Sequence, residues 1–191
     1  MREHFHEDNS HHQKASSLYD LAITEGSQDA LTKTFDMLLD TGDTLLLESP
    51  TYSGSLAYLH AKKNVHLESV TTDDGGLCPE ALSTLLSHWH SAPATKTRRF
   101  PKVLYVIPTG SNPTGASLSL ARKQAIYALA CRYNLLLLED DPYYYLQLNN
   151  NCDDAMEKET AHAAGTSLSS HSFLSMDTQQ RVCRFDSFIF V

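Results

Sequence analysis

Short apolar runs alternate along the chain with segments in which apolar residues recur every three or four positions. The short runs predict β-strands at residues 18–24, 44–48, 65–70, 102–107, 135–139 and 181–186. The periodic segments predict helices at residues 26–40 and 53–61, from residue 79 onward and at 119–133. Strands that alternate with helices in this way indicate an α/β fold, in which helices flank a mainly parallel sheet.

Residues 1–17 and 149–171 are polar and show no hydrophobic period. We interpret residues 1–17 as a disordered N-terminus, although the histidines there leave a metal-binding tract as an alternative. Residues 149–171 hold almost no large apolar side chains and cannot bury enough surface to fold, so we interpret them as a flexible insertion between two strands. The remaining chain, residues 18–188, is predicted to form one domain around this insertion.

The composition of the 191 residues is that of a globular domain, since 41% are hydrophobic and 20% are charged. The 23 acidic residues outnumber the 15 basic ones, and the net charge of -8 argues against a nucleic-acid partner. No apolar run approaches the roughly 20 residues that span a bilayer, so no membrane segment is expected. The N-terminus is acidic and has no apolar block, which argues against a signal peptide.

Polar stretches follow several of the predicted strands, where ligands bind in parallel α/β sheets. Ser27 and Gln28 begin a helix whose exposed backbone N–H groups suit a phosphate, and an ordinary serine cap is the alternative. Asn112 lies in an Asn-Pro-Thr-Gly turn, which either holds its amide at a fixed position or simply connects two elements.

Two further strand ends carry an aromatic ring and an acid. Tyr52 follows the strand at 44–48, where its ring stacks on a flat ligand or packs beneath a loop. Asp140 follows the apolar strand at 135–139, and an acid there needs solvent, an ion pair or a bound cation. A surface acid that caps a turn is the alternative. Tyr143, three residues further on, could present its hydroxyl to the same pocket.

Together and in this order, these stretches resemble the motifs of a known family. The matching segments are ITEGSQDAL, LLLESPTYSGSL, IPTGSNPTG, LLEDDPYYYLQL and FLSMD followed by RVCRFDSF. They resemble the fold-type-I aminotransferases that use pyridoxal 5'-phosphate (PLP), and within them the kynurenine/α-aminoadipate aminotransferases. The resemblance covers residues 18–148 and 172–188. It implies part of the large PLP-binding domain, with amino acids and 2-oxo acids as substrates.

The resemblance implies that seven residues bind the cofactor: Ser27, Gln28, Tyr52, Asn112, Asp140, Tyr143 and Ser187. The two serines and the glutamine would hold its phosphate. The first tyrosine would stack on the pyridine ring, and the asparagine and the second tyrosine would bond the 3-oxygen of the ring. The aspartate would pair with the protonated pyridine nitrogen, which keeps the ring cationic and able to take up electrons. No metal ligand is implied.

The chain departs from the family at the lysine that forms the Schiff base with PLP. The family has a D-S-F-S-K type sequence, and here Phe190 stands at the position of the lysine. Phenylalanine forms no imine, so we expect the chain to lack a catalytic residue, to be inactive alone and to bind PLP weakly or not at all. The small C-terminal domain and the seventh strand of the family sheet are also expected to be absent, which would leave a gap or a re-paired strand beside residues 18–24.

Two hypotheses of different classes remain open. One is an aminotransferase core of the kynurenine/2-aminoadipate type without its covalent link to PLP. The other is a non-catalytic form that pairs with a full-length aminotransferase as a heterodimer, or with itself as a homodimer. The four cysteines lack the spacing of a metal site or a redox pair, which indicates a reducing compartment. The expected location is cytoplasmic or mitochondrial.

Overall fold

The computed structural model describes residues 19–62, 64–146 and 171–187. The helices are α1 (Ser27–Leu38), α2 (Ser53–Ala61), α3 (Pro79–Ser87), α4 (Leu120–Tyr133) and α5 (Phe173–Met176). The strands are β1 (Thr44–Ser49), β2 (His66–Asp73), β3 (Gly76–Leu77), β4 (Val103–Val106), β5 (Leu136–Asp140) and β6 (Val182–Phe185). The predicted disordered N-terminus, the predicted insertion apart from His171, and Phe190 lie outside the described residues.

The strands form one sheet in the order β3-β2-β1-β4-β5-β6. Neighbouring strands pair in parallel, apart from β3, which turns back antiparallel against β2. Asp74 and Gly75 form the bend of this β2–β3 hairpin. The predicted α/β fold with a mainly parallel sheet is therefore confirmed.

Side chains alternate between two apolar layers, one on each face of the sheet. On β1, Leu45 and Leu47 lie in the layer that α1 and α2 cover, whereas Leu46 lies in the layer that α3, α4 and α5 cover. All three leucines are almost fully buried. Because both faces are covered, the central strands β1, β4 and β5 read as continuous apolar runs.

The order of the strands reverses between β1 and β4, because the chain passes from β1 to β2 on one side and from β4 to β5 on the other. A ligand crevice forms at such a reversal, beyond the carboxyl ends of the strands. Short loops join α1 to the start of β1 and the end of β1 to α2, so both helices run antiparallel to that strand. Their first turns therefore lie at the edge where the parallel strands end, here called the carboxyl edge.

Residues 19–24 do not form the predicted strand. Leu21 is 93% exposed and Ile23 is 94% exposed, so these two apolar side chains of the segment cover nothing. A strand needs a neighbouring strand for its hydrogen bonds, and within the described residues the sheet ends at β6. We expected either a gap or a re-paired strand beside this segment, and the structure shows no re-paired strand among the described residues.

The hydrophobic pattern predicted neither β3 nor α5, nor the 3-10 helix at Tyr144–Leu146. β3 has only two residues, and α5 is a single turn whose N-cap Ser172 accepts a hydrogen bond of 3.0 Å from the backbone N–H of Ser175. Elements of this length are too short to show a hydrophobic period. Among the helices of the described residues, none is long and apolar enough to cross a membrane.

The exposure of residues 19–24 predicts that Leu21→Ser and Ile23→Ser each change the free energy of unfolding by less than about 0.5 kcal/mol, because neither side chain packs. Phe35→Ala in α1, where the ring is fully buried, should lower it by about 3–5 kcal/mol. Urea denaturation followed by Trp89 fluorescence measures both effects. If Ile23→Ser lowers the free energy of unfolding nearly as much as Phe35→Ala does, the Ile23 side chain packs against the fold.

Candidate functional site

Six buried side-chain atoms among the described residues have no hydrogen-bond partner, and all lie at the carboxyl edge of the sheet. They are Gln28 Oε1, Glu48 Oε1, Thr51 Oγ1, Thr109 Oγ1, Asp140 Oδ1 and Asp141 Oδ1. Five belong to the ends of β1, β4 and β5 or to the loops directly after them, and the glutamine lies in the first turn of α1. Because buried polar atoms nearly always have partners, this concentration indicates a site for a polar ligand.

The carboxylate of Asp140 is the most constrained of these groups. Asp140 ends β5 and is 5% exposed. Its Oδ2 accepts a hydrogen bond of 2.6 Å from the hydroxyl of Tyr105 on β4, and that hydroxyl accepts one of 3.1 Å from Ser55 Oγ in the first turn of α2. The three buried groups tie β5, β4 and α2 together, and they fix the direction of the carboxylate while Oδ1 stays without a partner.

Burial raises the pKa of Asp140 to about 6, although the hydrogen bond from Tyr105 opposes the rise. Burial, with the nearby charge of Asp140, also raises the pKa of Tyr105, so its proton stays on the phenol oxygen. Within the part of the chain that the structure describes, no cation pairs with this carboxylate when it is ionised. A ligand cation at Oδ1 would lower the pKa again, so that cation binding and ionisation of Asp140 favour each other.

Glu48 is a second buried acid at the carboxyl edge and is 1% exposed. Its Oε2 accepts a hydrogen bond of 3.0 Å from the backbone N–H of Ile107 and a longer one, of 3.4 Å, from Ser111 Oγ. Burial raises the pKa of Glu48 to about 7, and the charge of Asp140 adds to the rise. Glu48 thus connects β1 to the loop after β4, across the point where the strand order reverses.

A charged network on the opposite face of β5 holds the end of this strand. Nη1 of Arg184 lies 3.0 Å from Glu139 Oε1 and 3.0 Å from Asp141 Oδ2, and the guanidinium lies 4.4 Å from the centre of the Tyr144 ring. Glu139 also accepts a hydrogen bond of 2.8 Å from the backbone N–H of Phe173. Burial raises the pKa of both acids, and the charge of Arg184 opposes both rises. The network joins β6 and α5 to the end of β5.

The first turn of α1 carries the predicted phosphate-binding residues Ser27 and Gln28. The N-cap of the helix is Gly26, and no side chain caps it. The alternative of an ordinary serine cap is therefore wrong. Backbone N–H groups that lack a side-chain cap suit an anion, and the unpartnered Oε1 of Gln28 lies in the same turn.

The half-buried ring of Tyr52 lies against Gly54 at the start of α2. A Cβ atom at Gly54 would come within 2.5 Å of the ring, so glycine leaves the room that the ring occupies. The ring also packs against the layer that α1 and α2 cover. Of the two interpretations made for Tyr52, the structure shows the packing contact, and stacking on a ligand stays a prediction.

Asn112 and Tyr143 lie in the loops after β4 and β5. Asn112 is exposed, and Tyr143 is 38% exposed. A Cβ atom at Gly110 would lie 3.7 Å from Cδ2 of Tyr143, so the two loops lie side by side. Ser187 follows β6 and is half-buried.

Hydrogen bonds join Asp140 to Tyr105 and Ser55, two groups that the sequence reasoning missed. The other six predicted residues lie at the carboxyl edge because they belong to helix starts or to loops that follow strands. Among the described residues, none of the six donates a hydrogen bond to the Asp140 side chain. Tyr105 did leave a signal, because it is a polar residue inside an otherwise apolar strand, as Glu48 is in β1. Buried polar groups need partners, and such residues therefore point to contacts across the sheet.

Residues 3–172 match the family described as aminotransferase class I and II, and the chain belongs to this family. The mitochondrial kynurenine/alpha-aminoadipate aminotransferase of Rattus norvegicus is 43% identical over 169 residues, which cover 88% of this chain and 36% of the relative. An aromatic amino acid aminotransferase of Dictyostelium discoideum is 38% identical over 170 residues, which cover 89% and 33%. The chain spans about a third of the length of these curated relatives.

Solved aminotransferase structures share the fold. Aminotransferase Aro8 from Candida albicans superposes with a TM-score of 0.72 at 38% identity, over 85% of this chain and 33% of that chain. A kynurenine aminotransferase from Pyrococcus horikoshii, in complex with PMP, KYN and KYA, superposes with a TM-score of 0.70 at 26% identity, over 86% and 35%. The resemblance to fold-type-I aminotransferases is confirmed.

The pKa of Asp140 predicts a pH-dependent stability. Because this pKa is about 6 in the folded chain and ordinarily 3.8, the folded state holds the proton more tightly, and the resulting stabilisation is present below pH 3.8 and lost as the pH rises through 6. Between pH 4 and pH 7, we expect the wild type to lose about 2 kcal/mol more unfolding free energy than Asp140→Asn loses. Urea denaturation at both pH values measures the difference.

The matched control is Asp74→Asn, which changes an exposed acid in the β2–β3 turn. We expect this variant to lose as much unfolding free energy as the wild type does over the same pH range. If Asp140→Asn also shows the wild-type loss, the buried carboxyl group does not hold its proton in the way that the structure implies.

Proposed function

We propose that this chain forms the PLP-binding part of an aminotransferase of the kynurenine/2-aminoadipate type, an enzyme that transfers an amino group from an amino acid to a 2-oxo acid. The observation that carries the proposal is the buried carboxylate of Asp140, whose Oδ1 has no partner while Tyr105 fixes Oδ2. A protonated pyridine nitrogen fits this oxygen, because it supplies both the missing donor and the missing charge. Membership of the aminotransferase family favours PLP as the ligand.

The phosphate group of PLP would lie at the first turn of α1, held by Ser27 and Gln28, with Ser187 after β6. Two observations support this placement. The helix begins without a side-chain cap, and its buried face packs in one layer with Phe185 at the end of β6. The partial positive charge of a helix N-terminus favours a phosphate at this position.

The pyridine ring would lie between these groups and the loops after β4 and β5. Tyr52 would cover one face of the ring, and Asn112 and Tyr143 would bond its 3-oxygen. The proximity of Tyr143 to Gly110, in the loop of Asn112, supports this pairing. When bound, PLP supplies an electron sink for a carbanion at the amino-acid Cα, and Asp140 would keep its ring nitrogen protonated for that purpose.

The relatives support amino acids and 2-oxo acids as the substrate classes. The rat relative is named for kynurenine and alpha-aminoadipate, and the Dictyostelium relative for aromatic amino acids. We propose that the amino-acid substrate is one of these amino acids, all of which have a bulky or elongated side chain. Because the rat relative is named as mitochondrial, a mitochondrial location is proposed beside a cytoplasmic one.

Phe190 stands where the family motif has its lysine. Because phenylalanine has no amine, we propose that residues 1–191 bind PLP weakly and without a covalent bond at that position, and that they do not catalyse transamination by themselves. Residues 18–188 would then correspond to a part of the large domain that binds the cofactor without reacting with it.

Equilibrium dialysis with PLP tests the binding proposal. We expect weak, saturable binding by the wild type, and an affinity at least about tenfold lower for Asp140→Asn, because a hydrogen bond to a charged group contributes about 1.5–3 kcal/mol. The control Asp74→Asn should bind as the wild type does. No saturable binding by the wild type, or equal affinities for wild type and Asp140→Asn, would contradict the assignment of Asp140.

Borohydride reduction tests the role of Phe190, since it converts an imine between PLP and a lysine into a stable bond. Mass spectrometry after reduction should find no lysine of the wild-type chain labelled in stoichiometric amounts. The matched variant combines Ile189→Ser with Phe190→Lys, which restores the D-S-F-S-K sequence, and we expect a label at residue 190. A stoichiometric label on any lysine of the wild type would contradict the proposal that the chain forms no covalent bond with PLP.

A second candidate function is the non-catalytic form that pairs with a full-length aminotransferase or with a second copy of itself. The exposure of Leu21 and Ile23 favours it, because neighbouring exposed apolar side chains mark surfaces that partners cover. Co-expression with a tagged full-length family member, followed by pull-down, distinguishes this candidate. The absence of any association would exclude the heterodimer.

A further inference from the structure

The turn that carries Asn112, residues 110–117, is closed by its own hydrogen bonds. The backbone N–H of Ser111 donates to Ala116 O at 2.8 Å, and the N–H of Gly115 donates to Ser111 O at 2.5 Å. These two bonds between Ser111 and the far side of the turn fix its shape. They do not fix its direction relative to the sheet, which depends on what the turn contacts below it.

Glu48 on β1 supplies a contact below the turn. Ser111 is the buried residue of the turn, 3% exposed, and its hydroxyl donates to Glu48 Oε2 at 3.4 Å. The backbone N–H of Ile107, directly after β4, donates to the same oxygen at 3.0 Å. One carboxylate oxygen of β1 therefore meets both the end of β4 and the start of the turn.

We propose that Glu48 is a positioning residue, which sets the direction of the 110–117 turn and thereby places Asn112 at the cofactor site. The inference rests on the proposed function, because that function is what assigns Asn112 to the cofactor. Glu48 acts through Ser111 and Ile107 and does not itself touch the ligand.

The surroundings of Glu48 favour this role over one in stability. The side chain is almost fully buried and its Oε1 has no partner, and a buried acid in that condition stabilises a fold less well than an apolar residue of the same volume. The acid and the phenol that interact with its charge are Asp140 on β5 and Tyr105 on β4. Positioning requires an acceptor at Oε2, which a neutral side chain also provides, so glutamine should replace Glu48.

A double-mutant cycle tests whether Glu48 acts through Asn112. Equilibrium dialysis would measure the PLP affinity of Glu48→Ala, Asn112→Ala and the double variant. We expect Glu48→Ala to weaken binding about fivefold in the wild-type background, because the hydrogen bonds from Ser111 in the turn and from Ile107 below it are lost. In the Asn112→Ala background the same substitution should weaken binding less than about twofold, since nothing is left for it to position. Additive losses would overturn the proposal.

Two further variants separate positioning from a general effect. Glu48→Gln keeps an acceptor and should bind PLP within about twofold of the wild type, whereas a loss as large as that of Glu48→Ala would overturn the proposal. Glu80→Ala changes an exposed acid at the start of α3 and should leave the affinity unchanged.

Hydrogen exchange without PLP gives a readout that does not depend on the proposed function. In Glu48→Ala, peptides that cover residues 108–118 should exchange faster than in the wild type, while the rest of the sheet keeps its protection. Glu48→Gln should exchange as the wild type does. Unchanged exchange in this segment, or faster exchange throughout the chain, would overturn the positioning role. If no variant binds PLP but the exchange result holds, the proposed function fails and the contact between Glu48 and the turn stands.

Discussion

The hydrogen bond from Tyr105 to Asp140 is the interaction on which the carboxyl edge depends. It holds a carboxylate where water scarcely reaches, and it does so with a phenol that Ser55 in turn fixes from α2. A buried acid is unfavourable by itself, because the charged form loses its hydration. The bond limits that cost at one oxygen and leaves the other available, so the geometry of the edge is set before any ligand arrives.

The same edge collects the polar groups that the rest of the fold excludes. Elsewhere in the described residues, buried side-chain polar atoms have partners, as Thr95 does in its 2.6 Å bond to the carbonyl oxygen of Trp89. At the carboxyl edge, six such atoms have none. Local rules of stability tend to fail where a protein binds its ligand, and the failure here follows the line along which the parallel strands end.

The central part of the fold could be predicted from the sequence because its strands are buried on both faces. Runs such as Leu45 to Leu47 leave no other interpretation once helices precede and follow them. Residues 19–24 show the limit of this reasoning. Their alternating pattern is typical of a strand, but a strand is a property of two segments, and the pattern of one segment does not reveal whether the other exists.

The candidate site was predictable to the extent that its residues lie in recognisable motifs. Asp140 could be singled out as an acid after an apolar run. Tyr105 and Ser55 could not be connected to it from the sequence. Tyr105 lies 35 positions before Asp140, and Ser55 lies 50 positions before Tyr105. The contact between Glu48 and Ser111 spans 63 positions. Such pairings depend on which strands become neighbours in the sheet and on where the helices and loops at their ends pack, and the sequence of a single strand contains neither.

Glu139 and Asp140 are adjacent in β5 and face opposite sides of the sheet. The glutamate meets Arg184 and the start of α5, and the aspartate meets Tyr105. A shift of β5 by one residue against β4 would turn each of the two acids to the other face of the sheet, away from the partner that it has now. The two adjacent acids thus favour a single register of β5, because each has its partner on only one face of the sheet.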